Sequence, residues 1–444
     1  MFFSSSKGIS DNQNFSLGEL SNSEVVIYWT TVLTPLWWLL GIQPLFYPVL
    51  VALLLVAVFQ IDKLIRVPLP AFSWMWLAMA LIMLWTAILG IDSVGFSLTL
   101  AASSFVTFLK SYFLIFAGIT LPFWSKIRVS VITRAVTWLS ISFIIIILIQ
   151  MILLAAGVDD QVYLPPLGRM VPGNTQSLEV RSAKISPFFG IPLPRTLLHT
   201  ADPPILGVCA LICFFICLGE TNQHLRKWGI VGALCALILS FSRSAWICFV
   251  LDLAIIASFS NQITRQLSLW FVSLVSLLCS FLEMTFQELL DAPLAIFDSA
   301  RADSSSTREL VVQKTIEAWR DMPWLGWGII RGKVWLYEDE YLALSSFSTY
   351  AAVLYLNGIV GFVIFIAALL LTLVAFCKPA IQGNVLCQRA FAILVTLLIL
   401  IQATPLSWMA VYLWFFFIWL GAIFCELEAN EKPVTRWEDL SKFN

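Results

Sequence analysis

Long apolar runs alternate with short polar breaks along nearly the whole chain. Runs of roughly 18–22 residues are long enough, as α-helices, to cross a ~30 Å hydrocarbon core. They predict twelve spans, near residues 25–41, 43–61, 71–90, 104–124, 135–156, 203–219, 228–242, 244–260, 267–285, 347–377, 390–405 and 406–425. The seventh is short, the tenth is long enough to tilt or to project, and Pro405 divides the last two. The ~10-residue alternating segments of a membrane β-barrel are missing from this pattern. The expectation is an all-α polytopic membrane protein. Its parts would be an N-terminal tail (1–24), a transmembrane domain (25–425) with large loops at 157–202 and 286–346, and a C-terminal tail (426–444).

Composition agrees. Of 444 residues, 60% are hydrophobic and 12% charged, and mean hydropathy is +0.89, which leaves a soluble fold too little polar surface. The net charge of −1 changes nothing, but the placement of basic residues does. Lys63 and Arg66, then Lys126, Arg128 and Arg134, then Arg226 and Lys227, Arg265, and Lys378 with Arg389 all follow even-numbered spans. The excess of Lys and Arg on cytoplasmic loops then predicts that both termini are cytoplasmic and both large loops face outward. The first 24 residues are polar, and the first apolar run shows no cleavage-site pattern, so no cleaved signal peptide is expected. The nine cysteines lie mostly in apolar runs and read as packing residues, with Cys209, Cys213 and Cys217 on one helix stripe.

Against this apolar background a few polar residues stand out. In "ILSFSRSAWICF", Arg243 falls in the tight turn between spans seven and eight, at the outer interface. The first large loop carries Arg169, Arg181, Lys184, Arg195 and His199 against Asp159, Asp160, Glu179 and Asp202. The second holds ten acidic and six basic residues. Within it "SSTRELVVQKTIEAWRDMP" predicts a helix, with Ser306 as N-cap, Glu309 completing a capping box and Pro323 as the stop. Arg308, Val312 and Trp319 share one face of that helix, which suggests docking onto the membrane domain. "WLGWG" follows, with Gly326 and Gly328 supplying a tight turn.

"SFSRSAW" at a span boundary, "STREL…AWRDMPWLGWG" in a large outer loop and "SSFSTYAAVLYLNGIVGF" opening the next span occur in an order that resembles the O-antigen ligase/polymerase family (WaaL and Wzy type) of bacterial polysaccharide assembly. The resemblance covers roughly residues 200–375. It implies a GT-C-like, metal-independent glycosyltransferase of the inner membrane, without cofactor, acting at the periplasmic face. Its donor would be a glycan on undecaprenyl diphosphate. Its acceptor would be the next lipid-linked glycan for a polymerase, or lipid A-core for a ligase. Membrane lipid and a chain-length regulator are further expected partners; no nucleic-acid signal exists. The family's essential arginines match Arg243 and Arg308. Ligases carry a histidine where the span after the large loop begins; here "FSTY" puts Phe347 there, which points to polymerase over ligase.

The chemistry of such a reaction suits these residues. A leaving diphosphate without a metal needs fixed cations, and the arginine fork matches phosphate oxygens bidentately. Arg195 in "PLPRTLLHT" is a third donor-binding candidate, and Trp319, with Trp324, Trp327 and Trp335, could stack on sugar rings. An acceptor hydroxyl needs a base or good positioning. His199, the outward-facing histidine, and Glu309, beside Arg308, are the candidates, although capping alone explains Glu309. Each arginine also has a plain reading as an interface anchor. "YEDEY", Glu338 to Glu340, reads as a solvated loop run and not a metal site. Asp252 and Lys110 lie inside spans and could pair; a solute or bicarbonate transporter would be built around them.

Overall fold

The computed structural model describes residues 20–170, 175–188, 191–260, 262–281, 302–337 and 340–431. Helices dominate. In chain order they are α1 (Asn22–Val32), α2 (Thr34–Leu40), α3 (Gln43–Val58), α4 (Ile61–Arg66), α5 (Ala71–Val94), α6 (Leu98–Lys110), α7 (Tyr112–Trp124), α8 (Val129–Ala155), α9 (Pro203–Cys217), α10 (Gln223–Leu239), α11 (Arg243–Ser260) and α12 (Gln262–Phe281). Then follow α13 (Ala302–Trp319), α14 (Thr349–Ile381), α15 (Val385–Leu400), α16 (Leu406–Met409) and α17 (Trp414–Glu431). Three two-stranded antiparallel ribbons lie in the two large loops: β1 (Val162–Tyr163) with β2 (Val180–Arg181), β3 (Lys184–Phe188) with β4 (Ile191–Arg195), and β5 (Lys333–Tyr337) with β6 (Glu340–Ala343).

The expected spans are largely helical over their described residues, but their lengths differ from expectation and those near 25–41, 104–124 and 406–425 are each interrupted. Four stretches are long and apolar enough to cross a bilayer: Ala71–Val94, Leu98–Trp124, Val129–Ala155 and Thr349–Ile381. Gln43–Val58, Pro203–Cys217 and Val385–Leu400 are apolar but shorter. The fifth expected span starts earlier, at Val129, so Arg134 lies inside α8 and not in a loop. There it forms a two-pronged pair with Glu220, at 2.7 Å on each prong. Likewise α10 starts at Gln223 and takes in Arg226 and Lys227. Pro405 does break the chain, as the N-cap of the short α16.

One continuous apolar core joins the helices. α7, α8 and α9 are its centre; the apolar side chains of α9 from Ile205 to Cys217 are almost fully enclosed, and α17 packs along α7. Large exposed apolar residues such as Val56, Ile88, Ile152, Trp270 and Val374 cover the outside, as expected of surfaces that meet lipid. The described cysteines are all free. At one end of the bundle Ser21 and Glu24 close a capping box on α1, and Glu24 accepts from the backbone and guanidinium of Arg128.

α14 is not one regular helix. Gly358 breaks it, with φ +63° and ψ −167°. A break inside an apolar helix frees backbone groups that lipid cannot satisfy. The 323–328 loop supplies the missing partners. Trp327 N–H donates to Tyr355 O at 2.8 Å and Gly328 N–H to Leu356 O at 2.9 Å. Ile359 N–H and Val360 N–H donate in turn to Pro323 O and Trp324 O, at 2.9 and 3.2 Å. Gly326 and Gly328 make the tight turn expected of them, with φ +68° and +69°. Close approach requires glycine as well: a Cβ on Gly328 would lie 1.9 Å from Thr86 O of α5.

Candidate functional site

Arg243 opens α11 directly after the turn that ends α10, as the sequence suggested. Phe241 takes φ +47° in that turn, and Ser240 Oγ accepts from Ser242 N–H at 3.2 Å. The first large loop grips this turn. Phe188 of the β3–β4 ribbon packs on Phe241 and Trp246, with ring centroids 5.1 and 5.6 Å away. Arg195, at the end of β4, donates from Nε to Ser240 O at 3.1 Å, and Thr196 N–H donates to Leu239 O. The structure therefore brings Arg195 to the turn that presents Arg243. The ribbon itself was not visible in the sequence, because its Pro-rich strands carry little alternation.

The second loop delivers Arg308. Helix α13 begins at Ala302, so Ser306 lies within it and is no N-cap; the expected capping box does not form. Arg308 consequently lies in the second turn of the helix. Glu309 has no capping duty; it is exposed and accepts weakly from Gln313 at 3.4 Å. Helix α13 does dock, but through a face turned one residue from the expected one, with Arg308, Val312 and Trp319 only half-buried on its flank. Val311 and Thr315 are its buried centre, and Thr315 Oγ1 accepts from Ser345 N–H at 3.1 Å. That contact holds α13 over the segment leading into α14. As a result the Arg308 guanidinium lies 5.2 Å above the centroid of the Phe347 ring, a cation–π contact between the two positions the sequence motifs singled out.

Arg243 and Phe347 lie at the same end of the bundle. α11 and α15 run antiparallel: Gln388 Nε2 donates to Phe259 O, and Cys248 Sγ to Thr396 O. Stepping five residues back from Cys248 to Arg243, and five on from Thr396, reaches Ile401. Ile401 O accepts from Thr349 N–H at 2.9 Å, two residues after Phe347. The helix N-termini presenting Arg243 and Phe347 thus share one level, with Arg195 and Arg308 brought in by the two loops.

The remaining predicted residues are placed otherwise. His199 does not line an open surface. It is buried, 2% exposed, its ring stacked on Phe143 of α8 and beside Cys209 of α9, and its Nδ1 meets no hydrogen-bond partner. Trp319 donates from its indole to Pro323 O at 3.1 Å and so ties the end of α13 to the 323–328 loop. Trp327 does the same to Ala318 O at 2.8 Å, whereas Trp324 and Trp335 are exposed. Asp252 is fully buried beside Thr396, and its carboxylate oxygens meet no hydrogen-bond donor among the described residues. It forms no pair with Lys110, which lies on α6 among α3, α5 and α7, away from α11. Glu338 and Asp339 lie outside the described residues, and among those described no group of acidic, His or Cys side chains could hold a metal.

Arg331 is the residue the sequence did not single out. It stacks on Trp327 at 4.7 Å, donates to Gly90 O at 3.1 Å and bonds Ser93 Oγ, locking the second loop to the end of α5. Only its position three residues after Gly328 of the glycine turn could have flagged it.

The fold and site define a class: a helical membrane protein with a group of arginines where two structured loops meet the ends of its helices. The family model described as O-antigen ligase matches residues 228–366, from α10 through the break in α14. Over that stretch, 139 of the 444 residues, the chain is similar to the O-antigen ligase family, and the stretch contains Arg243, Arg308 and Phe347. Arg195 and His199 lie outside it. No curated protein matches the chain.

Proposed function

We propose that the protein is a polysaccharide polymerase that transfers a glycan from a polyprenyl diphosphate, undecaprenyl diphosphate in bacteria, to an acceptor glycan at the outer face of the inner membrane. The observation that carries this reading is Arg308 seated over Phe347 at the level of Arg243. A polyprenyl tail in lipid holds its diphosphate at the membrane surface, the depth the sequence predicts for these helix ends. In the reaction, an acceptor hydroxyl oxygen attacks the anomeric carbon as the bond to the diphosphate breaks. The diphosphate departs with the bonding electron pair. Arg243 and Arg308 offset the charge that develops on it, which a planar guanidinium does through paired hydrogen bonds. Arg195 steadies the turn that aims Arg243.

The hydroxyl proton needs an acceptor. Glu309 is exposed next to Arg308, whereas His199 is buried against Phe143, so Glu309 is the base we favour. Phe347 has no proton-accepting atom, which favours chain extension over ligation to lipid A-core. Ligation is the second reading, favoured by the description of the matching family model. The separation of Asp252 from Lys110 takes away the pair on which a transporter reading would rest.

The test is the surface glycan of a deletion strain complemented with wild-type, Arg243→Ala or Arg308→Ala genes. Removing one charge-stabilising group typically costs ~10²–10³ in rate. Long chains restored by wild type alone, with single repeats from both variants, is the expected result. Long chains stranded on the lipid carrier, with none attached to lipid A-core, would establish ligation instead. An unchanged glycan profile would overturn both.

A further inference from the structure

The opposite end of the bundle carries a second pair of arginines, with no acid to match. The turn entering α10 lies against the first turns of α15: a Cβ on Gly219 would sit 3.4 Å from Arg389 Nη1. One turn into α10, Arg226 acts on Arg389 as a like charge. Both side chains are half-buried, whereas their neighbour Lys227 is exposed. Neither has an ion pair among the described residues. The nearest acid along the chain, Glu220, is already committed: it takes both prongs of Arg134 at 2.7 Å and accepts from Asn222 N–H at 2.8 Å.

The setting adds to the positive charge. Arg226 and Arg389 both lie near the N-termini of their helices, where the peptide dipoles already favour an anion. Two half-buried guanidinium groups at adjoining helix N-termini, one of them against the turn at Gly219 that leads into the other's helix, are unfavourable unless an anion lies between them. An oxyanion with several acceptor oxygens fits two guanidinium forks.

We infer that Arg226 and Arg389 together bind a phosphate group, supplied either by the headgroup of an anionic phospholipid or by free phosphate. This site is separate from the Arg243 end and does not depend on the glycosyl-transfer reading.

The experiment uses the full chain in nanodiscs of mixed phosphatidylcholine and phosphatidylglycerol, extracted gently and weighed by native mass spectrometry. Wild type is compared with Arg226→Gln/Arg389→Gln and with Arg226→Lys/Arg389→Lys. Wild type is expected to retain phosphatidylglycerol over phosphatidylcholine. The double-Gln protein should retain roughly ten-fold less, and the double-Lys protein an intermediate amount, because a point charge replaces the fork. Titration with inorganic phosphate separates the sources. Lipid that phosphate does not displace identifies the headgroup. Saturable phosphate binding, displacing lipid in wild type and lost in the double-Gln protein, identifies free phosphate. Equal lipid retention by wild type and double-Gln protein, with no phosphate binding to either, overturns the inference. Should the double-Gln protein fail to fold, Arg226→Gln alone, at a half-exposed position, carries the same comparison.

Discussion

At the scale of single residues, the Arg308–Phe347 contact matters most. Neither residue is unusual by itself; an arginine in a polar loop and a phenylalanine before a span have ordinary explanations. Together they make a guanidinium held over an aromatic face at 5.2 Å. Such contacts contribute about 0.5–2 kcal/mol, more when desolvated. If the ring positions the guanidinium for the diphosphate, Phe347→Ala should slow glycan elongation roughly two- to thirty-fold, while Phe347→Trp should preserve it. Turnover of a lipid-linked repeat by purified protein would check this, and an unaffected Phe347→Ala enzyme would separate the ring from the reaction. Arg308→Lys should fall near Arg308→Ala, because the ammonium cannot give the paired geometry.

At the scale of elements, the break in α14 and the 323–328 loop form one unit. The loop's amides and carbonyls replace the helix bonds lost at Gly358. Asn357 adds a side-chain bond from Nδ2 to Thr86 Oγ1 at 2.7 Å. The unit therefore ties α5, α13 and α14 to one another close to the Arg308 end. Gly328→Ala would force a Cβ into Thr86 O from a left-handed backbone. A cost of about 3 kcal/mol or more follows from strain plus overlap. The expected readout is a lowered melting temperature in detergent together with lost polymerisation. Gly383→Ala is the control, since a Cβ there meets nothing within 4 Å although its φ is also positive, +96°. Equal melting temperatures for the two variants would mean that the loop does not brace the break.

At the scale of the whole molecule, ion pairs hold one end of the bundle together. Glu24 joins α1 to the start of α8 through Arg128, and Glu220 joins α8 to the entry of α10 through Arg134. Burial pushes the Glu24 carboxyl up, but hydrogen bonds from Arg128 and the Ser21 backbone outweigh it, so its pKa lies below the ordinary 4.5. A depressed folded pKa means that the unfolded chain takes up its proton first as pH falls. The Glu24 contribution is therefore complete above pH 4.5 and lost as pH drops through the lower folded value. Thermal stability of wild type should decline across that acid window. Glu24→Gln should be less stable at neutral pH and show a shallower decline. Parallel curves for the two proteins would rule out this pair as the acid-sensitive contact.

The sequence by itself determined which stretches become helical, but not where each helix begins and ends. Apolar runs set their positions, Pro405 and the glycines of "WLGWG" set the turns, and "SRSAW" set Arg243 at a helix end, because each of these is a local preference of neighbouring residues. That α13 docks was legible for the same reason, although spacing along the helix pointed to Val312 where Val311 and Thr315 are the buried residues. The start of that helix was misread: a Ser…Glu pair three apart resembles a cap, but the helix continues from Ala302 through it. The break at Gly358 left a trace in the dipeptide Asn357-Gly358, yet only the loop that repairs it makes it tolerable in an apolar helix. Tertiary structure alone decided the rest: Arg308 over Phe347, Arg195 on the turn before Arg243, His199 turned inward on Phe143, and Asp252 apart from Lys110. These relations join residues 39 to 142 positions apart. Packing of whole helices and loops sets such distances, and no local pattern of hydrophobic and polar residues encodes them.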